Sequence, residues 1–535
     1  MLSAKCKPIL FWFMFGTFFV LFPKSGFRGG DGLGELALAA CYELMPDGCL
    51  HGRRKVYTFV PEITAENVVP VLGRAKAIHS QNRREIQYLY NYYCGVQDVL
   101  GKIKLARPEI NNKVTVNIAN QIVAFKTAYF MSSPLQYVSA GGDKSVSKMV
   151  YLLNSYMLAE DKDSKDKEIC DWMHICGLGV RMVLPDATGE AEGAPFCIYT
   201  LDPRQAFVIY SNGIGRQPLA GVILQKDAKG RNLACVYTKN RYFEIQGKNI
   251  INRDEWDGQL GQAHYLGAVP LVEYPNNEAR LGAFEIVLPV LNTINDLESH
   301  RVDGVQDFVN AFDVFYNCEI DSETYKNLNS GGKALQIKTA AQGFEPKVER
   351  IASELSQGGV QTAIDDLTDQ YIRICGLPNR NGGSSTSDTG QGVIFRDGWA
   401  EADSRANDTE KMFNRAERQF LRLVLHICQG VKGLNLQLGD IKIDHTRSNL
   451  SNMQSRMQIL CEGLNNDKIH PKIPWLVSGM PNAEEWYHMS EGYYQEQQMQ
   501  LERSLQEELN NAAVHTDGQE HRTVEQAGDK TLQSG

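Results

Sequence analysis

Apolar positions along the chain switch from helical spacing to strand-like spacing and back again. Between Thr64 and Leu100 the spacing is helical, with Ile86, Leu89, Tyr90 and Tyr93 on one side and Thr64 available as a cap. Asn111 and Asn112 interrupt it. A second helix is predicted from about Val114 to Phe130, stopped by Ser132-Ser133-Pro134, and Leu135–Val138 reads as a short strand. Residues 146–176 are helical again, and their charged run EDKDSKDKE reads as a solvated face. From Gly179 to about Tyr274 the segments FCIYTL, AFVIY, AGVILQK, NLACVYT and RYFEIQ are short, β-branched and aromatic. Turns at Asp186–Gly189, Ser211–Gly213 and Asp227–Gly230 separate them, which predicts antiparallel hairpins and disfavours a dinucleotide-binding βα fold.

Past Gly282 the period is helical once more. Phe284, Val287, Leu288, Leu291, Ile294 and Leu297 form a stripe, with Pro289 marking a first turn or a kink. Short β-like pieces, AFDVFY and KALQIKT, flank the turn-rich Asn327–Gly332. A second helix aligns Val360, Ile364, Leu367, Tyr371 and Ile374 and stops at Gly376-Leu-Pro378. From Asn379 to Gly392 (NRNGGSSTSDTGQG) there is no apolar side chain. Such a segment cannot bury itself; it sits in solvent or faces something that moves past it. Trp399, Ala402, Ala406, Phe413, Ala416, Phe420, Leu423 and Ile427 then keep helical spacing. A single helix over 393–428 would be about 54 Å long. Ile441–Asp444 reads as a strand, 453–464 as a helix, and a polar helix starts near Ala483 after a loop with Pro471, Pro474 and Pro481. Composition after Ala513 is that of a disordered tail.

The chain has 535 residues, too many for one core, so two to four domains are expected. A net charge of -9 argues against a stably held nucleic-acid ligand but suits DNA that slides without sticking. None of the 12 cysteines lies in a Cys-x-x-Cys pair, which points to buried reduced thiols rather than zinc or disulfides. The N-terminus carries Lys5 and Lys7 before the apolar run Ile9–Phe22, and Leu-Ala-Leu-Ala-Ala-Cys41 follows further on. Three readings fit it: an export signal, a membrane-touching tail, or a dispensable or mis-assigned leader.

Candidate chemistry is sparse. Asp365, Asp366 and Asp369 could be imagined as a nuclease metal cluster, but Ile364 and Leu367 define the buried side of that helix and the carboxylates face away. His174, His264, His300, His426 and His445 are scattered without a zinc-binding pair, and no Gly-x-x-x-x-Gly-Lys-Ser/Thr phosphate loop occurs. No catalytic residues, metal or cofactor are expected.

Four places resemble the portal (head-to-tail connector) proteins of tailed bacteriophages, of the siphophage type from Gram-positive hosts. They are Tyr88–Gly95 with Asn111–Asn117 and the run to Pro134-Leu-Gln-Tyr137; Leu201-Asp-Pro203 to Tyr210; Leu291–Leu297 to Phe315; and Ser384–Leu425 followed by Ile441–Met480. Together they cover roughly residues 64 to 490, and the first 55 residues depart from the pattern. The resemblance implies an α+β subunit that forms a ring, commonly of twelve, at one capsid vertex around a DNA channel. It implies a wing over 64–280 with a return over 429–450, a stem helix over 281–310, a clip over 311–347 and a second stem helix over 348–378. A tunnel loop over 379–392, a tunnel helix over 393–428, a crown over 451–512 and a tail over 513–535 complete it.

In that frame Arg380, Asn381, Ser384, Ser385, Thr386, Ser387, Asp388 and Gln391 would face the DNA, with Asp388 offsetting the one cation. Leu291, Ile294, Leu297, Ile364, Leu367, Tyr371, Trp399, Phe413 and Phe420 would pack helices and neighbouring subunits. The implied partners are copies of itself, a terminase large subunit, a head-completion or adaptor protein, a major capsid or scaffolding protein, and double-stranded DNA bound transiently without sequence specificity. The rival readings are a membrane-anchored or exported lipoprotein-like binding protein, resting on Phe11–Phe22 and Cys41, and another structural virion protein.

Overall fold

The structure is a computed structural model that describes residues 52–105, 108–141, 144–186, 193–309, 312–316, 318–319, 326, 338–339, 347–351, 357–379, 398–445, 450–466, 468–478 and 486–507. The apolar run Ile9–Phe22, Cys41, the tunnel-loop candidates Arg380 to Gln391 and the tail 513–535 lie outside them.

The chain enters through a short strand, β1 (Val56–Thr58), and the long helix α1 (Val68–Tyr93). Thr64 does not cap α1. Asn67 precedes the first turn, and its Oδ1 accepts from the Thr64 N–H at 2.9 Å, tying down the approach instead. Helix α2 (Ile118–Phe130) begins four residues later than the apolar pattern suggested, capped by Asn117, whose Oδ1 accepts from the Asn120 N–H. Residues 112–117 are held in another way, described below. Strand β2 (Gln136–Ser139), α3 (Lys144–Ala159) and α4 (Lys162–Cys176) follow.

Hairpins then dominate. β3 (Leu178–Pro185) pairs with β4 (Phe196–Leu201) and with β11 (Leu271–Pro275) in one antiparallel sheet. β5 (Ala206–Ser211), β6 (Pro218–Lys226), β7 (Asn232–Tyr237) and β8 (Arg241–Gln246) form a meander, extended by β9 (Asn249–Ile250) and β10 (Gln262–Ala263). β1 joins that meander in parallel beside β5, Val56 opposite Ile209. Residues 52–58 therefore belong to the folded body, and the buried Arg53 and Arg54 are paired inside it.

Helix α5 (Leu288–Val309) carries the next stripe, with Pro289 in its first turn. β12 (Phe312–Tyr316) pairs with β15 (Lys347–Ile351), and β13 (Cys318–Glu319) with β14 (Lys338–Thr339). Pairing to β12 draws Lys347–Ile351 into a strand, so helix α6 (Gln357–Cys375) starts later than the 348 boundary expected for it. α6 packs on α5, burying Ile364 and Tyr371. Ile374 is the exception in its predicted stripe: it is exposed, and Cys375 takes the buried position.

Helix α7 (Trp399–Lys432) spans 34 residues, about 51 Å. It outlasts the predicted end at 428. β16 (Ile441–Asp444) returns to pair with β2. α8 (Leu450–Leu464), α9 (Lys472–Val477) and a helix over 486–507 complete the described chain.

Candidate functional site

Three arrangements converge on the segment between α6 and α7. The first is the base of that segment. Gly376 ends α6 with φ +63° and Gly398 precedes α7 with φ +78°, backbone conformations that side-chain-bearing residues rarely adopt. The two ends meet: a Cβ placed on Gly398 would lie 3.7 Å from Pro378 Cα and 4.0 Å from Asn379 N. The chain thus leaves and re-enters at one point. Trp399 packs there against the stacked pair Phe125 and Tyr129 of α2, with ring centroids 6.1 and 6.0 Å away. A Cβ on Gly376 would strike Arg405 Cγ at 2.9 Å, so α6 and α7 touch closely at this corner. Beside it is a cavity of about 190 Å³, whose lining includes Phe125, Lys126, Tyr129, Cys375, Ala402 and Arg405.

The second arrangement anchors α7. Phe413 and Phe420 are fully buried, Phe413 against Phe130, Tyr274 and His445. Between them on the same face sits Glu417, equally buried. Its carboxylate pairs with Lys162 at 2.9 Å and Arg181 at 3.4 Å and accepts from the Tyr274 hydroxyl at 2.7 Å and the Tyr137 hydroxyl. Asp166 closes the network onto Lys162 and Arg181. Burial alone would raise the Glu417 carboxyl, but the Lys162 and Arg181 cations and the two hydroxyls hold it at about 2. Lys162 and Asp166 lie in the charged run that reads as solvated from sequence; they are buried because Glu417 and Arg181 supply partners inside the body. One sign was available: Glu417 and Arg181 are single charges inside otherwise apolar stripes.

The third arrangement ties α5 to residues 112–117. Asn295, Ser299 and Asp303 lie on one edge of α5 at four-residue spacing, all buried. Asp303 Oδ1 accepts from the Asn112 N–H at 2.8 Å, Ser299 Oγ from the Val114 N–H at 3.0 Å and Asn295 Oδ1 from the Val116 N–H at 2.8 Å. A helix edge thereby stands in for a partner strand, satisfying alternate amides of an extended segment. This explains why apolar Val114 and Val116 do not join α2.

Of the packing candidates, Leu291, Ile294, Ile364, Tyr371, Phe413 and Phe420 are buried, and Leu297, Leu367 and Trp399 are half-buried. Leu291, Ile294 and Tyr371 share one core with Tyr92 and Phe284. The tyrosine-rich stretch of α1 also packs internally: Tyr92 stacks on Phe284, and Tyr90 on Trp172. Asp365, Asp366 and Asp369 are exposed. Among the described residues no three His, Cys, Asp or Glu side chains gather as a metal site, and Cys94, Cys170, Cys176, Cys197, Cys235, Cys375, Cys428 and Cys461 are free thiols. No helix among them is long and apolar enough to cross a membrane.

Comparison with known proteins gives one family. The model for phage portal proteins of the SPP1 Gp6-like type matches residues 72–501. No curated protein matches the chain. The match takes in α5, α6, α7 and the anchoring network alike, and the chain belongs to the phage portal protein family, a structural family of the virion at the head-to-tail connection.

Proposed function

We propose that copies of this chain close into a ring at one capsid vertex and that the segment 380–397 faces duplex DNA passing through its centre. The observation that carries the reading is the shared base at Asn379 and Gly398. A segment of that length returning to its own start reaches at most about 30 Å. It is presented by a helix anchored rigidly through Phe413, Glu417 and Phe420. Its hydroxyl, amide and glycine residues offer weak contacts to phosphates that carry no sequence information, and a near-neutral loop does not hold DNA electrostatically.

Ring closure is supported by apolar surface that a single chain leaves open. Ile103 and Leu105 are 82% and 95% exposed, beside α5, where Val302 and Val305 are also open. The helix over 486–507 exposes Trp486, Met489, Tyr493, Tyr494, Leu501 and Leu505, more than a solvated helix normally shows. Heterologous head-to-tail contacts that close on themselves would cover both. In this reading the hairpin body is the wing, α5 and α6 form the stem, the β12–β15 and β13–β14 pairs form the clip, and α8 onward forms the crown. Twelve subunits are proposed. The ring docks the terminase large subunit during packaging and a head-completion protein afterwards, and contacts the capsid or scaffolding protein at its rim.

Negative-stain electron microscopy of the purified chain tests this directly. Annular particles with a central hole are expected. A monodisperse monomer at micromolar concentration and physiological salt would refute the reading.

A further inference from the structure

α7 carries its charge in an ordered way. Lys411, Arg415, Arg418 and Arg422 are exposed and follow one another at spacings of four, three and four. At 3.6 residues per turn they fall within about 60° of one another. They are centred opposite Phe413, Phe420 and Ile427, the face that α7 buries. The ridge therefore lies on the exposed side of α7, where only Arg415 approaches the described body, at Glu278. It is poorly satisfied at home. Lys411 reaches Asp408 only at 3.6 Å, and Arg415 reaches Glu278 only at 4.0 Å, with side chains 77% and 71% exposed. Arg418 and Arg422 form no ion pair with another described residue. In a chain of net charge -9, four aligned cations on the exposed side of its longest described helix call for an acidic counterpart.

The same chain supplies one. Asp366 and Asp369 lie on the side of α6 away from the buried Ile364, Tyr371 and Cys375, and Asp365 is exposed on the flank beside them. Asp365 accepts from Gln361 Nε2 at 2.8 Å, but Asp366 and Asp369 form no ion pair with another described residue. Arg373 is the one cation further along that side. The two ridges sit on different helices and both face outward, as a heterologous contact requires: each copy offers one face to the next copy and the other face to the previous one.

We infer that the Lys411–Arg415–Arg418–Arg422 ridge seats against the Asp365–Asp366–Asp369 ridge of a second copy of this chain, and that this charge match sets the direction and register of the ring contact. The inference rests on the ring reading. It makes assembly sensitive to salt, because the paired groups are surface charges at the rim of the contact.

A charge swap in the full-length chain tests it, with particles counted by electron microscopy and mass measured by sedimentation across a salt series. The paired variant Arg418→Glu/Arg422→Glu should need at least about tenfold more protein to form rings than the wild type. Asp366→Lys/Asp369→Lys should do the same, and combining all four changes should restore assembly. Circular dichroism should be unchanged in every variant, since all four positions are exposed. Rings that form normally in both paired variants overturn the inference, as does a combined variant that stays defective. Normal rings that no longer retain duplex DNA would assign the ridge to phosphates instead, and also overturn it. A wild-type chain that forms no rings fails the ring reading itself, before any variant is compared, and takes the inference with it.

Discussion

Glu417 of α7 and Lys162 of α4 lie 2.9 Å apart with both side chains sealed from water, and this pair fixes where the longest described helix sits on the hairpin body. Removing one partner of a buried ion pair leaves the other charge uncompensated. Glu417→Gln should therefore lower stability by about 3–5 kcal/mol, read as a shift in the thermal or urea midpoint. Adding Lys162→Met to Glu417→Gln should cost less than the sum of the two single changes, since the second removes a charge the first had orphaned. The carboxyl also has a pH signature. It titrates near 2 in the folded chain against an ordinary 4.5, so its contribution is present above about pH 4.5 and is lost as pH falls toward 2. Glu417→Gln should flatten that part of the acid-stability curve.

His174 acts in the same direction over a higher pH window. It is buried, with Nδ1 at 3.0 Å from Thr127 Oγ1, and burial, helped by Lys126, pushes it down to about 3 from 6.5. The unfolded chain takes up a proton below pH 6.5 that the folded chain refuses until about 3, so stability falls as pH drops through this range. The slope from this one group is about 1.4 kcal/mol per pH unit. Burial also lowers His79 and His264, which add in the same direction. His174→Gln should remove one proton's worth of the slope between pH 6 and 4, measured by denaturation at stepped pH.

The helix-edge ladder on α5 predicts a local effect. Asn295→Ala deprives the Val116 N–H of its acceptor and Gln97 Oε1 of a donor. The cost should be about 1–3 kcal/mol. Hydrogen exchange at Val114 and Val116 should accelerate, while the α7 amides stay protected. Uniform acceleration throughout the chain would mean that residues 112–117 do not open as a separate unit.

The first described residues give a truncation test. Arg53 pairs with Glu285 and, at 3.1 Å, with Glu85, and Arg54 reaches Glu85 at 2.6 Å. Removing residues 1–51 keeps these pairs. Removing 1–55 strands Glu85 and Glu285 as buried carboxylates. The longer truncation should be markedly less stable than the shorter one in a thermal melt, and equal melting of the two would contradict the buried role of Arg53 and Arg54.

Much of the helical layout was legible because a helix writes its packing into local spacing: α1, α5 and the run from Phe413 to Ile427 declare their buried faces within a few turns. Misreadings came where a distant group intervened. Val114 and Val116 have the composition of a helix start, but Asn295, Ser299 and Asp303 claim their amides. Lys347–Ile351 yields to the strand β12. Lys162 and Asp166 look solvated until Glu417 and Arg181 come to meet them.

The sequence by itself determined the α+β order of elements, the stops at Gly376 and Pro378, and the charge-poor, apolar-free character of 379–392, because periodicity, glycine and proline act over a few neighbouring residues. Only the tertiary structure decided the parallel seat of β1 beside β5, the return of β16 to β2, the closed base at Asn379 and Gly398, and which charges are buried. Strand pairing and charge burial each depend on a partner that the local chain does not contain.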